Sequence, residues 1–367
     1  MSEARDDQQS PTPADPAADG AVTPGAPFSG EHLRGESTSD RPTSDRPTSD
    51  RPTPGQTPPA YLPKEQQAPE DGPVRSATEE KSKKKRRLDY PPAPEPLRVP
   101  VIDNHAHLDF RDGQVAVSLT QHLDTAAALG VAGAVCVGYD VASSEFSVQA
   151  ANSDPRAKAA VALHPNDAPE LAERGEYDSA FARIAELAAD EQVVAVGETG
   201  LDYFRTGEEG VAAQQRSFRD HIALAVERGL AMQIHDRDAH QDVVSILKDA
   251  PELPRSVVFH CFSGDAELAR ICNENGWYMS FAGTVTFKNS SDLRSALAVA
   301  DPHLILVETD TPFLTPHPYR GQPNAPYLIP QTMRLMAQTR GLEDDAGLDS
   351  LCQQVMLNTT QAYGSWT

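Results

Sequence analysis

The sequence predicts an α/β protein: a (β/α)8 TIM-type barrel with a disordered N-terminal extension. Two observations carry this reading. From residue 99 onward, short apolar runs alternate with amphipathic stretches over roughly 270 residues, the size and order of such a barrel. Before that point the chain is rich in Pro, Ser, Thr, Asp and Gly and poor in aromatic residues, a composition that cannot bury enough apolar surface to fold. The boundaries are therefore 1–98 for the tail and 99–367 for the barrel.

Taken in order, the tail contains three copies of Thr-Ser-Asp-Arg-Pro, at 38–42, 43–47 and 48–52. Each copy is too polar to bury a face against its neighbour, so the run reads as low-complexity chain and not as a solenoid. The basic cluster at 81–87, KSKKKRR, reads as a solvated charge run or as a tether for polyphosphate or nucleic acid. The Pro-rich stretch 90–96 reads as a stiff linker into the domain.

The strand candidates are 99–103, 132–138, 158–163, 193–198, 231–235, 256–260, 277–281 and 304–308. They are rich in Val, Ile, Leu and Ala and do not alternate with polar residues, as expected of parallel strands covered on both faces. Helices fall between them, among others at 118–129, 214–228, 239–248 and 265–275. Gly130, Gly229 and Gly276 stand just past helix ends, where a left-handed residue is favoured. A doubly wound open sheet is the competing arrangement, because strand count alone does not distinguish the two.

No apolar run approaches the ~18–20 residues that span a bilayer. The N-terminus lacks a basic start followed by an apolar core, so a secretory signal is not expected. Cys136, Cys261, Cys272 and Cys352 include no CxxC pair, which argues against a zinc knuckle or redox motif. These features fit a cytoplasmic monomer in a reducing compartment.

Chemistry-bearing residues collect at the ends of the strand candidates. The first runs into Asp103-Asn104-His105-Ala106-His107, the third ends at His164, and the fourth ends at Glu198. The fifth ends at His235, the sixth at His260, and the eighth runs into Glu308-Thr309-Asp310. In a parallel barrel all these ends open on one mouth, where active sites are built. A two-residue spacing puts His105 and His107 on one face of a strand. Imidazoles with carboxylates suit zinc and other borderline divalent ions. Glu198 has two oxygens with which to bridge two ions, and a pair of ions suits phosphoryl displacement.

Several of these segments match a known pattern in the order of the chain. They are 101–109 (VIDNHAHLD), 197–203 (GETGLDY), 235–239 (HDRDA), 259–264 (FHCFSG), 286–289 (TFKN) and 308–312 (ETDTP). Over roughly residues 99 to 363 the domain resembles the TatD-related metal-dependent deoxyribonucleases, within the wider amidohydrolase-like barrels. The resemblance implies two divalent ions (zinc, manganese or magnesium) held by His105, His107, Glu198, His235, His260 and Asp310. It implies that His164 contacts a substrate phosphate and that Asp310 or Glu198 helps deprotonate the attacking water. Arg237 and Arg320 are candidate phosphate contacts, since a guanidinium can grip two phosphate oxygens; a structural ion pair is the alternative for Arg237. Many related barrels that cleave cyclic amides bridge their ions with a lysine from the fourth strand, and Glu198 stands there instead.

The function implied is hydrolysis of DNA phosphodiester bonds. The tail carries 14 Lys plus Arg against 17 Asp plus Glu, which leaves about −19 of the net −22 on the barrel. An acidic domain repels duplex DNA, whose affinity rests largely on cation–phosphate contacts. A local grip on DNA or oligonucleotide ends, and exonucleolytic trimming of single strands, is therefore expected. A metal-dependent ester or aminoacyl-ester hydrolase is the first alternative, and a non-catalytic metal-binding module the second.

Overall fold

Runs of Val, Ile and Ala form eight parallel strands in the computed structural model, which describes residues 52–63, 73–78 and 84–366. The strands are β1 (Val101–Ala106), β2 (Val131–Val137), β3 (Ala157–Val161), β4 (Val193–Asp202), β5 (Ala231–Arg237), β6 (Ser256–Phe259), β7 (Tyr278–Phe281) and β8 (Ile305–Val307). Each pairs with the next in chain order. Helices α1 (Leu119–Ala128), α2 (Val141–Ser153), α3 (Asp167–Glu173), α4 (Tyr177–Leu187), α5 (Glu208–Arg228), α6 (His240–Asp249), α7 (Ala266–Asn275) and α8 (Ser291–Val299) occupy the crossovers. Helices α9 (Ile329–Thr339) and α10 (Asp345–Tyr363) follow the last strand. Gly229 and Gly276 end α5 and α7 at φ of 65° and 68°, the left-handed conformation that lets a helix stop.

A doubly wound sheet would reverse its strand order, and this one does not. Its two ends also meet: Ala106 bridges Thr311, the Asp310 N–H donates to the His105 carbonyl at 2.9 Å, and the His107 N–H donates to the Thr311 carbonyl at 2.8 Å. Below these, the buried Asn104 amide donates to the Val307 carbonyl at 2.8 Å. The Asp103 carboxylate accepts from the Thr309 N–H at 2.9 Å and its hydroxyl at 2.5 Å. The seam of the barrel is thus closed by the two segments richest in chemical groups.

The core has two main parts. The larger lies between strands and helices and includes Phe218, Ile184, Met232, Phe259 and Trp277. A smaller cluster takes Val135, Ala160, Ala195, Ala231, Val258, Tyr278 and Leu306 from the successive strands β2 to β8, which can meet only in the lumen; Ala362 and Tyr363 of α10 close it. Small residues in this layer let the narrow interior fill without strain.

The chain before β1 departs from the tail reading at several of its described residues. Tyr61 is buried against Tyr90 and Tyr327, with ring centroids 4.7 and 4.8 Å away, and shares a 2.8 Å hydrogen bond with His122 on α1. The stretch expected to be a linker is tied down, since Ala93 pairs with Gln56 and Gly55 through backbone hydrogen bonds of 2.9 Å. Within the basic cluster, Arg86 is buried on Asp112 at 2.6 and 3.0 Å, which corrects the solvated reading for that residue. Average composition conceals these few anchors. The first two Thr-Ser-Asp-Arg-Pro copies, all of the third but Pro52, and residues 81–83 lie outside the described residues. Among the described residues no helix is long and apolar enough to cross a membrane.

The Tyr61–His122 contact has a pH signature. Burial pushes the His122 imidazole down to about 4, against an unfolded value of about 6.5. Between these values the unfolded chain binds a proton that the folded state refuses, so acidification through this window lowers stability. His221, also pushed down to about 4 by burial, acts in the same direction. His122→Gln keeps an acceptor for Tyr61 but does not titrate. Urea unfolding at about pH 7 and about pH 4.5 is expected to show the variant losing roughly 2–3 kcal/mol less than the wild type on acidification. An equal loss in both proteins would place His122 in contact with solvent.

Candidate metal centre

Two irregularities in strand pairing aim the principal side chains. The β1–β2 register shifts between Asp103 and Ala106, around His105, and the β4–β5 register shifts between Val196 and Thr199, around Glu198. Such bulges commonly re-aim side chains beside active sites. Asp310 sits just past β8 with φ of 54°, a left-handed position that Asp tolerates better than most residues.

The structure gathers His105, His107, His164, Glu198, His235, His260 and Asp310 in one place. The Glu198 carboxylate is at the centre. Its Oε2 lies 3.5 Å from the Nε2 atoms of both His105 and His107. Its Oε1 faces His235 Nδ1 at 2.7 Å, His260 Nε2 at 2.9 Å and His164 Nε2 at 3.3 Å. Asp310 Oδ1 stands 3.5 Å from His107 Nε2 and 3.8 Å from His105 Nε2. Burial would push Glu198 up, yet the facing imidazoles, His260 and His164 foremost, hold it well below the usual carboxylate range.

Hydrogen bonds fix which nitrogen of each ring is free. His107 Nδ1 donates to the Val137 carbonyl at 3.0 Å. His105 Nδ1 donates to Gln233 Oε1 at 2.9 Å, and Gln233 is held in that orientation because its own amide donates to the Asn104 carbonyl at 2.7 Å and to the Tyr363 hydroxyl at 3.0 Å. Each neutral ring therefore turns an Nε2 lone pair inward, and these two nitrogens are 3.2 Å apart. Two lone pairs at that distance repel unless a positive charge lies between or beside them. Burial disfavours charge on His107, but Asp310 and Glu198 outweigh it and push the ring up to about 10. A proton meets that demand, and so does a metal cation.

Other groups fit a cation too. Glu308 is fully buried; its Oε1 accepts from the Cys261 N–H at 2.7 Å, and its Oε2 has no hydrogen-bond partner among the described residues. His260 Nδ1 lies 3.4 Å from Glu308 Oε1 without hydrogen-bond alignment. The His105 and His260 rings stack at 3.9 Å. Three triads have donor atoms close enough to share an ion: His105, His107 and Glu198; His105, His260 and Glu308; His164, Glu198 and His235. This mixed nitrogen and oxygen set suits divalent transition metals and, through the carboxylates, magnesium.

His164 is the exception within those triads. The Asn166 N–H donates to its Nδ1 at 3.0 Å, so the neutral ring carries its proton on Nε2, the atom that faces the cluster. Burial pushes the ring's pKa down, which favours that neutral form. His164 therefore offers a donor to an anion. His235 is oriented differently: its Nε2 lies 3.2 Å from Asp202 Oδ2, leaving Nδ1 toward Glu198. The guanidiniums of Arg237 and Arg320 lie over the rings of Phe204 and Phe287, at 4.1 and 4.5 Å, and neither forms an ion pair with the cluster.

Residues 102–364 match the family model described as TatD related DNase. The chain belongs to that family. Among curated relatives, the uncharacterized metal-dependent hydrolase TatD of Mycobacterium tuberculosis is 42% identical over 242 residues, covering 65% of this chain and 89% of that protein. The metal-dependent hydrolase YabD of Bacillus subtilis is 38% identical over 240 residues, 65% of this chain and 91% of its own. Among solved structures, the TatD homologue YJJV of Escherichia coli aligns with a TM-score of 0.65 at 26% identity, covering 72% of this chain and 98% of that one. The protein is a metal-dependent hydrolase of the TatD family, and its histidine–glutamate cluster is a candidate metal centre.

Sequence reasoning gave no role to Gln233, Asp202 or Glu308. Gln233 had a signal: it is a polar residue in an apolar strand, two positions before His235 and so on the same face. Asp202 and Glu308 lie inside the recognised motifs but beyond the obvious ligands. A partner that orients a ligating imidazole typically changes metal affinity by about 10–100-fold when removed. Gln233→Leu is accordingly expected to weaken divalent-metal binding by roughly that factor, read by calorimetric titration of the metal-free protein. Unchanged affinity would mean that His105 does not depend on Gln233 for its tautomer.

Proposed function

We propose that this hydrolase cleaves DNA phosphodiester bonds, trimming single-stranded or terminal DNA exonucleolytically, with two divalent ions (zinc, manganese or magnesium) as cofactors. The observation that carries the reading is the division of labour at Glu198. One of its oxygens faces the His105–His107 pair and the other faces His235 and His260. On this reading the first ion is held by His105, His107, Glu198 and Asp310, and the second by Glu198, His235 and His260. A bound divalent cation supplies Lewis acidity and lowers the pKa of water toward ~7.

The remaining roles fall to the chain's own groups. The Nε2–H of His164 points at the cluster and is a fitting donor to a non-bridging phosphate oxygen. Asp310, partly exposed beside the His105–His107 pair, is the carboxylate best situated to accept a proton from the attacking water. Arg237 and Arg320, each parked on an aromatic face, are offered as contacts to flanking phosphates. Half-exposed Phe110 and Phe313 lie 6.3 and 6.2 Å from the His107 ring, where bases could stack. With a barrel charge of about −19, grip has to be local, which favours strand ends over long duplex.

Glu198→Gln and Asp310→Asn are expected to lower kcat on single strands labelled at the 3′ or 5′ end by about 10²–10⁴-fold with the divalent ion present. Wild-type rates in either variant would remove that residue from the reaction. An aminoacyl-ester substrate run alongside decides between reaction classes: faster turnover of the ester would replace the nuclease reading. A metal-loaded protein inert toward both would favour a binding module.

A further inference from the structure

The segment ahead of the barrel reaches the active-site mouth. Residues 73–78 run beside the chain that follows His107: the Arg75 N–H donates to the Arg111 carbonyl at 2.9 Å, and the Arg111 N–H donates to the Pro73 carbonyl at 2.8 Å. Arg75 then crosses to the loop that carries Asp310. Its Nη1 donates to the Pro312 carbonyl and to Asp112 Oδ2, the latter at 3.1 Å. Its guanidinium lies 4.9 Å from the centroid of Phe313, the ring that itself stands 6.2 Å from His107. This segment precedes the residues matched by the family model.

Charge makes the placement informative. Asp112 is fully buried and faces two guanidiniums. Arg86, whose side chain is 2% exposed, already neutralises it through two hydrogen bonds. The charge of Arg75 is therefore in excess of what Asp112 needs, and the other carboxylate that acts on it is Asp310 at the mouth. Its side chain is 21% exposed, and among the described residues its Nε and Nη2 donate to nothing. A fixed cation with free donors, on an aromatic face at the rim of an acidic barrel, is suited to a phosphate.

We propose that Arg75 is a substrate-binding residue: supplied by the N-terminal segment, it contacts a phosphate of the nucleic-acid strand next to the one being cleaved, with Phe313 beneath the adjoining base. This rests on the phosphodiesterase reading. It also makes the segment before the barrel one wall of the site, so that affinity for oligonucleotides depends on residues outside the barrel.

The test uses the full-length, magnesium-loaded protein and a short fluorescein-labelled single strand with phosphorothioate linkages, which keep the charge and resist cleavage. Anisotropy titrations across salt concentrations compare wild type with Arg75→Ala and Arg75→Lys. Arg75→Ala is expected to weaken binding about five- to tenfold and to reduce the slope of log K against log salt by about 0.7, one phosphate contact on a single strand. Arg75→Lys is expected to recover the slope, and melting temperatures to stay close to wild type because Arg86 still neutralises Asp112. Binding and slope unchanged in Arg75→Ala overturn the proposal, as does weaker binding with an unchanged slope, which marks a packing role. Hydrolysis of an ordinary phosphodiester strand by the wild type is measured in parallel. Its absence, with the Arg75 slope effect intact, defeats the nuclease reading and leaves Arg75 as a binding residue.

Discussion

A single buried carboxylate organises this molecule's chemistry. Glu198 meets five imidazoles from four different strands or strand ends, and none of those contacts is local in sequence. An ionised carboxylate at that depth survives only when positive charge surrounds it. Four of the imidazoles in turn are oriented by their outer nitrogens, through Val137, Gln233, Asn166 and Asp202, so hydrogen bonds one layer further out set which of them turn a lone pair toward Glu198 (His105, His107 and His235) and which turns an N–H (His164). The cluster is preorganised for a cation because the surrounding structure leaves it too rich in lone pairs and carboxylate oxygens to be comfortable without one.

The barrel and the site are consequently the same construction seen at two scales. Its seam is closed by Asp103, Asn104 and the backbones of His105 and His107 on one side, and by Val307, Thr309, Asp310 and Thr311 on the other. Closing the sheet brings Asp310 to the His105–His107 pair. If the ligand set is the proposed one, divided between the first and last strands, it cannot form in an open sheet, and metal binding would stabilise the closed barrel.

Much of this was legible from the sequence, for a definite reason. Strands buried on both faces leave few places for a polar residue, so His164, Glu198, His235 and His260 stand out against Val, Ile and Ala, and strand direction sends them to one rim. The strand cores also matched, with most ends displaced by a residue or two: β3 stops at Val161 and β6 at Phe259, while β1 runs three residues further than expected, to Ala106, and β4 four further, to Asp202. What periodicity could not supply was the role of each nitrogen. His164 and His235 look alike as letters, and only the Asn166 N–H and the Asp202 carboxylate make one a donor and the other a lone-pair ligand.

The anchored residues ahead of the barrel were missed for the complementary reason. Composition describes an average, and an average rich in Pro, Ser and Thr says little about Tyr61, Arg75, Arg86 or Tyr90 individually. All four are held by partners further along the chain: Tyr61 by His122 and Tyr327, Arg75 by Asp112 and the Pro312 carbonyl, Arg86 by Asp112, and Tyr90 by the Asp112 carbonyl at 3.1 Å. Such anchors need little apolar surface, because the barrel has already provided the groove and the countercharge. Arg75 shows what the arrangement adds. On the phosphodiesterase reading, an acidic barrel needs cations near its mouth to hold an anionic substrate, and the segment ahead of it can deliver one without altering any strand.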